Sequence, residues 1–472
     1  MTALWSARDL AAATGGSTRH DFIVSGISID SRTVDAGDLF IALQGPNFDG
    51  HAFVGEALAK GAVAALVAQT PAGLASDSPL LTVADTLAAL SALGRAARQR
   101  SPARIIAVTG SVGKTGTKEA LRLALSGQGP THASLGSFNN QWGLPLSLAR
   151  MPRETAFGIF ELGMNHEGEL AALSPIARPH VALITTIEAA HLGHFTSLEA
   201  IADAKAEIFT GVEPGGTVVL NRDNAFYARL AKAAGQRGIG PIIDFGEHRD
   251  AAIRLLDCRL SATSSAVTAS AMGELLEYTI ALPGRHWVMN SLAVLGAVKA
   301  VSGDVAAAAV TFAQLTALPG RGKRHTIQVR GGSAELIDES YNASPAAVRA
   351  AIAVLGTATV SPGGRRIAVL GNMLELGAES GRLHVNLAAP LVAAEVDLVF
   401  TVGDDMARLH AALPAPMRGS HCATAVEMAD LIADALRPGD IVTVKGSLGS
   451  RMTVIVKHLL AGEKLPAATA VG

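Results

Sequence analysis

The stretch Arg104–Glu119, RIIAVTGSVGKTGTKE, constrains this chain more than any other. Ile105, Ile106 and Val108 around Ala107 read as a buried strand. Thr109 to Thr115 reads as a tight Gly-rich turn that opens a helix near Thr115. Such a loop aims several backbone N–H groups at one phosphate, with the positive end of the helix dipole behind them. Gly110, Ser111, Val112, Gly113, Lys114, Thr115 and Gly116 are therefore the expected phosphate site of ATP. Lys114 is expected to reach the outer phosphates and the Thr115 hydroxyl to ligate magnesium. Val108 stands where the G-x-x-x-x-G-K-[ST] pattern has its first glycine, so the loop is of a shorter type that turns at Gly110. The competing reading is a Gly-rich strand-to-helix turn with an incidental Lys-Thr.

At 472 residues the chain has room for roughly two to four domains. A net charge of −2 and 4% aromatic residues argue against a nucleic-acid surface, which needs a basic stripe and stacking rings. Cys258 and Cys422 are the two cysteines, so a disulfide framework and a cysteine zinc site are excluded; both read as buried small apolar residues in a reducing compartment. The beginning, MTALWSARDL, lacks an apolar signal-peptide run, and no stretch reaches the ~18 apolar residues of a membrane span. The expectation is a soluble, cytoplasmic, monomeric protein whose partners are small molecules, with no nucleic acid and no stable membrane association.

The α/β pattern divides the chain into three expected domains, 1–101, 102–318 and 319–472. In the first, a helix begins at Ser6 with Asp9 as a capping-box partner. Short strands around Ile27, Ile29 and Leu39–Leu43 follow, with polar turns at Asp30-Ser31-Arg32 and Asn47-Phe48-Asp49-Gly50-His51. Taken alone, these turns read as ordinary Asp, Ser and Gly turn chemistry. In the second, strands at 156–161, 181–187, 216–220 and 242–245 alternate with helices, which predicts a parallel sheet carrying ligands beyond its carboxyl ends. Glu161 falls at one such end, and His191 and His194 follow another. Hairpin-like strands run from 254 to 282. The third repeats the α/β texture, with strands at 334–337, 366–370, 398–402 and 441–444. It forms a Rossmann-like unit without a phosphate loop of its own. The Ala-rich tail from Leu465 to Gly472 reads as frayed.

Magnesium bound beside Thr115 needs a carboxylate, and Glu161 is the candidate. By spacing alone, His191 and His194 are two loop histidines. Lys205 reads as a residue of a solvated helix face, because a cation beside a metal is repelled.

Together these residues resemble the Mur ligase family, the ATP-dependent amide ligases of peptidoglycan precursor synthesis. The resemblance is carried by TGSVGKT at 109–115, Glu161-Leu-Gly-Met, Ala190-His191-x-x-His194 and Lys205-x-x-Ile-Phe209, and it covers almost the whole chain. Gly284-Arg-His286-x-x-x-Asn290 is similar to the stretch that contacts adenine, and Gly320-Arg321 to the segment opening the C-terminal domain. The resemblance implies a three-domain α/β fold: a small uridine-binding module, a central phosphate-loop ATPase domain and a C-terminal Rossmann-like domain. It implies ATP contacts from His286, Asn290, Arg321 and Asp338, and UDP-substrate contacts from Ser31, Arg32, Asp49, Gly50 and His51. Peptide-substrate contacts fall to Asn139, Asn140, Tyr341 and Asn342. Two magnesium ions are implied, held by Thr115, Glu161, His191 and Lys205, with Lys205 carbamylated by CO2 so that the cation becomes an oxygen ligand. Lys114, Lys205, His191 and Glu161 are the implied catalytic set.

Asp338-Glu-Ser-Tyr-Asn-Ala-Ser-Pro345 and Leu370-Gly-Asn-Met-Leu-Glu-Leu-Gly377 resemble the branch that joins UDP-N-acetylmuramoyl-tripeptide to D-alanyl-D-alanine. Asn372 stands where that branch usually has Asp. The alternatives are the diamino-acid-adding ligase, a folylpolyglutamate synthetase, or a phosphate-loop regulatory ATPase. The Asp-Asn-Pro-Arg motif of the first is missing, and the first 100 residues weigh against the second.

Overall fold

The computed structural model describes residues 3–45 and 47–462. Three principal sheets follow one another along the chain. The first has four parallel strands in the order Gly26–Ser28, Asp38–Ile41, Ala64–Val67 and Leu80–Thr82. Its core of Leu39, Ile41, Leu66 and Leu81 is closed by Leu90 and Leu93 of the helix Thr86–Arg100. That helix is opened by Asp85, whose carboxylate accepts from Leu87 N and Ala88 N.

The central sheet has nine strands. Their order is Thr131–Ala133, Phe157–Glu161, Arg104–Thr109, Val181–Ile184, Thr217–Asn221, Ile242–Gly246, Ile253–Leu260, Ser265–Ala271 and Glu274–Ile280. The first seven run parallel and the last two complete antiparallel hairpins. Both faces of the parallel part are covered, which is why its strands are near-continuous in Ile, Val, Ala and Leu. The helices Lys114–Ser126 and Arg285–Ala300 pack on one face, and Glu169–Ala177 and Leu198–Ala206 on the other. Each fully buried Leu or Ile contributes roughly 1.5–3 kcal/mol. The chain leaves Arg104–Thr109 towards one side of the sheet and later returns on the other. The ends of this strand and its neighbours therefore border a crevice at the switch point.

The third sheet has six strands, ordered Lys323–Val329, Gly332–Glu339, Ile441–Lys445, Arg366–Gly371, Leu398–Val402 and Arg418–Cys422. Its first pair is antiparallel and the rest parallel.

The first unit is seated firmly on the central one. Trp5 Nε1 donates to Ala149 O (2.9 Å) and Arg150 Nε to Ile27 O (2.7 Å). The Arg98 guanidinium caps the end of the helix Glu169–Ala177 through the carbonyls of Ala177 (3.0 Å) and Arg178 (3.0 Å). Leu146 and Ala149 of the central unit belong to the first unit's core.

Several sequence expectations change. Ser6 caps the first helix by accepting from Asp9 N, but the Asp9 carboxylate pairs with Arg153 instead of closing a capping box. The strand expected at 181–187 ends at Ile184, because the following residues turn to bind the phosphate loop. Cys258 and Cys422 are half-buried rather than buried. The tail from Leu465 lies outside the described residues. Among the described residues, no helix is long and apolar enough to cross a membrane.

Candidate functional site

The Gly-rich loop expected to bind phosphate joins the strand Arg104–Thr109 to the helix Lys114–Ser126. Gly110 has φ +146°, and a Cβ there would stand 1.9 Å from Thr185 Oγ1. Gly113 has φ +86°, and its Cβ would stand 2.8 Å from Asn290 Oδ1. Both positions therefore require glycine. The loop is held from behind. Thr185 Oγ1 donates to Val112 O (2.6 Å), Ser111 N to Thr186 O (2.9 Å), and Ser111 Oγ both donates to Glu188 O and accepts from Glu188 N. Thr117 N donates to Gly113 O. The N–H groups of Lys114, Thr115 and Gly116 precede that bond at the positive end of the helix.

Lys114 Nζ folds back onto Gly110 O (2.7 Å). Its pKa is lowered by burial, against the Glu161 charge, and lowered further by Arg321. Thr115 Oγ1 donates to Glu161 Oε2 (2.8 Å), and Asn139 Nδ2 donates to Glu161 Oε1 (2.7 Å). Glu161 is almost wholly buried at the end of its strand. The hydroxyl and carboxylate expected to hold magnesium thus touch one another. Among the described residues, no three His, Cys, Asp or Glu side chains form a metal-sized cluster. One carboxylate with a hydroxyl is still the sparse oxygen supply that suits a largely hydrated magnesium ion.

Lys205 corrects the residue-based expectation. It is buried, 2% exposed, rather than on a solvated face. Its pKa is lowered well below the ordinary lysine value by burial and then by the Lys114 charge. His191, at φ +61°, shares a hydrogen bond between Nδ1 and Glu375 Oε2 across 2.5 Å. Its pKa is lowered by burial; the Glu375 contact opposes this, and the charges of Lys114 and Lys205 add to it. His191, Lys114 and Lys205 therefore share one electrostatic neighbourhood. His194 lies apart, its ring 4.7 Å from that of His166.

The C-terminal unit borders the same crevice. The Arg321 guanidinium sits 4.2 Å over the Tyr341 ring and reaches Ser137 Oγ at 3.5 Å. Lys445, 3% exposed, donates to Glu339 Oε2 (3.0 Å) and Asn342 O (3.0 Å). The charges of Glu339 and Lys445 act on His286, whose pKa is lowered chiefly by burial.

Other expected contacts have partners inside the fold. The Asp338 carboxylate accepts from Gly320 N (2.9 Å), Ser340 N and Ser340 Oγ, which pins the chain where it enters the C-terminal sheet. Asn140 Oδ1 accepts from Trp142 N and Gly143 N at the start of a helix. Asn342 Oδ1 accepts from Ala343 N. Asn372 Oδ1 accepts from Met406 N, a contact that an amide oxygen supplies without the charge of Asp.

The uridine set lies on the first unit. Ser31 Oγ donates to Glu56 (3.2 Å), and Arg32, largely exposed, forks onto Asp30 and holds its pKa down to about 2. His51 Nε2 accepts from Ala68 N (2.9 Å), so its Nδ1 carries the proton and donates to Asp49 (2.6 Å). Gly50 has no room for a Cβ, which would stand 2.6 Å from Leu43 O.

Two residues at the site are not marked by the sequence patterns. Lys118, one turn beyond Lys114, is fully buried and donates to Ser134 O (2.6 Å) and Gly136 O (3.0 Å). It orders the loop that delivers Asn139 to Glu161, and its i,i+4 spacing from Lys114 is the one local signal for it. Glu375 lies within the 370–377 stretch, where nothing local distinguishes it from its neighbours.

Residues 23–98 match the model of the Mur ligase family, catalytic domain; residues 108–298 match the Mur ligase middle domain; residues 324–448 match the Mur ligase, glutamate ligase domain. The chain is 33% identical over 455 residues to UDP-N-acetylmuramoyl-tripeptide–D-alanyl-D-alanine ligase of Rickettsia prowazekii, covering 96% of this chain and 99% of that one. It is 34% identical to the Escherichia coli ligase of the same name, covering 93% and 94%. A crystal structure of MurF from Acinetobacter baumannii superposes with a TM-score of 0.83 at 29% identity, covering 97% of this chain and 99% of that one. The MurF ligase from Thermotoga maritima in complex with ADP gives 0.75 at 25% identity, covering 93% and 98%. Matched in three successive stretches and related over nearly its full length, the chain belongs to the Mur ligase family.

Proposed function

We propose that the protein joins D-alanyl-D-alanine to UDP-N-acetylmuramoyl-tripeptide at the expense of ATP, forming the pentapeptide precursor of peptidoglycan with ADP and phosphate. The observation that carries this reading is the convergence of Lys114, Thr115 and Glu161 at the ends of the central strands, with Lys205 and, from the C-terminal unit, Arg321 within the field of Lys114. The names of the full-length relatives supply the substrate pair.

A carboxylate resists attack by an amine, so the amide requires an activated acyl group. Transfer of the terminal phosphoryl of ATP to the tripeptide carboxylate gives an acyl phosphate. The amine of D-alanyl-D-alanine adds to its carbonyl, and phosphate leaves as the C–N bond forms. In this reading Lys114 swings from Gly110 O to the transferring phosphoryl group, and the loop N–H groups cradle its neighbours. Arg321, stacked on Tyr341, approaches from the C-terminal side, and His286 and Asn290 flank the base and loop. Magnesium, when bound, supplies positive charge to phosphate oxygens; Thr115 and Glu161 would hold one ion and His191 a second. We place UDP recognition on residues 1–101, ATP on 102–318 and the closing half of the site on 319–472. The compartment we propose is the cytoplasm.

The Lys205 amine makes no hydrogen bond among the described residues and is biased towards its neutral form by burial. Carbamylation is the modification that fits it. The neutral amine nitrogen bonds to the carbon of CO2 and a proton is released, leaving an anionic oxygen donor in place of the amine.

The reading is tested by mass spectrometry of products from ATP, the UDP-tripeptide and D-alanyl-D-alanine, with phosphate release measured alongside. A ligase releases phosphate in step with pentapeptide when both acceptors are present. A regulatory ATPase releases it without them.

A further inference from the structure

We propose that Glu375 is a positioning residue that seats the His191 ring from across the crevice, so that docking of the C-terminal unit and orientation of that imidazole are one event. The proposal deepens the ligase reading and rests on it for the role of His191.

The contact is double. The Glu375 side chain meets His191 Nδ1 at 2.5 Å, and the Glu375 carbonyl accepts from Gly193 N at 2.7 Å. Both residues adopt left-handed backbone conformations, His191 at φ +61° and Glu375 at φ +63°, although neither is glycine or asparagine. Such conformations persist where surroundings over-determine them, and here each loop is the surrounding of the other. The backbones approach closely because Gly193 and Gly377 face one another; a Cβ on Gly377 would stand 3.2 Å from Gly193 Cα. The Glu375 side chain is 44% exposed, so burial of a core does not account for its placement.

The chemistry follows from the tautomer. With a carboxylate at Nδ1, that nitrogen carries the proton and donates. Nε2 then holds a lone pair and makes no hydrogen bond among the described residues. Outer carboxylates that fix a histidine in this way orient the ring and raise the basicity of its free nitrogen. The same loop begins at Glu188, whose N–H and C=O both close on Ser111 of the phosphate loop. A contact made by the C-terminal unit thus lies three residues from the support of the phosphate site.

The test compares Glu375→Ala and Glu375→Gln in the full chain, with thermal melting to establish that both fold. Nitrogen-15 NMR of the ligand-free protein reads the His191 tautomer, and steady-state kinetics read turnover. Glu375→Ala should lower kcat about 10–100-fold, with Kd for the UDP-tripeptide unchanged, while Glu375→Gln recovers much of the loss through its amide oxygen. The ring signals should move from a fixed Nδ1–H form in the parent to a mixture in Glu375→Ala. In a His191→Ala background, Glu375→Ala should cost little more, since the two act as a pair. Unchanged ring signals in Glu375→Ala, or losses that multiply independently with His191→Ala, would overturn the proposal. The NMR readout needs no substrate. A parent enzyme that makes no pentapeptide would refute the ligase reading, while the ring signals would still decide whether Glu375 fixes the imidazole.

Discussion

Lys205 shows how much one side chain depends on what is packed around it. From the helix LEAIADAKA it looks like a solvated cation, because nothing local marks it as buried. The fold places it 2% exposed, within the field of Lys114. Burial disfavours the ammonium form, so the folded state offers a neutral amine at a pH where a free lysine would be charged. Carbamylation requires that form. If Lys205 carries the carbamate proposed above, that carbamate is lost as pH falls and the amine takes a proton. Activity should therefore decline on the acid side and recover in part with added bicarbonate. Carbon-13 NMR after equilibration with labelled bicarbonate should show a carbamate signal in the parent and none in Lys205→Ala. Full activity in CO2-depleted enzyme with no such signal would rule the modification out. Glu161 was legible by contrast, because the end of a buried parallel strand is a position that sequence patterning defines. His51 was legible as a polar turn residue, whereas Asp338, expected just past the strand 334–337, lies inside the longer strand Gly332–Glu339. Their actual partners, Ala68 N and Gly320 N, come from elsewhere in the chain.

At the scale of an element, the Gly-rich turn between the strand Arg104–Thr109 and its helix was the most legible part, since strand, glycines, lysine and helix are contiguous. What the local pattern does not contain is the brace formed by residues 185–188. That brace ended the strand Val181–Ile184 three residues earlier than its apolar run suggested. Gly110 is where loop and brace meet. Gly110→Ala introduces a Cβ where Thr185 Oγ1 already stands, at a φ of +146° that side chains avoid. The strain is worth about 1–3 kcal/mol if the loop holds its shape. The loop is expected to distort instead, with ATP affinity falling at least tenfold, about the 1.4 kcal/mol of a decade in binding. Thermal stability should fall by a few degrees only. Titration calorimetry with ATP checks this, and unchanged affinity would contradict the role given to the turn.

At the scale of the molecule, three sheets follow one another along the chain, and the proposed reading gives them in turn substrate binding, nucleotide holding and site closure. The α/β alternation made that order legible, while contacts between units such as Arg98 with Ala177 and His191 with Glu375 were not, because they join residues 79 and 184 apart in sequence. The division predicts that Arg32→Ala, which removes a largely exposed guanidinium from the first unit, weakens UDP-substrate binding about 10–100-fold, the worth of a charge-assisted hydrogen bond, and leaves ATP affinity unchanged. An equal loss of ATP affinity would contradict the assignment. The central claim is amide formation driven by ATP, and product mass spectrometry tests it most directly. Incubated with ATP, magnesium, UDP-N-acetylmuramoyl-tripeptide and D-alanyl-D-alanine, the enzyme should yield the UDP-pentapeptide with one phosphate released per molecule formed, and Lys114→Ala should yield none. Phosphate release that continues without the dipeptide, with no pentapeptide mass when both substrates are present, would contradict it.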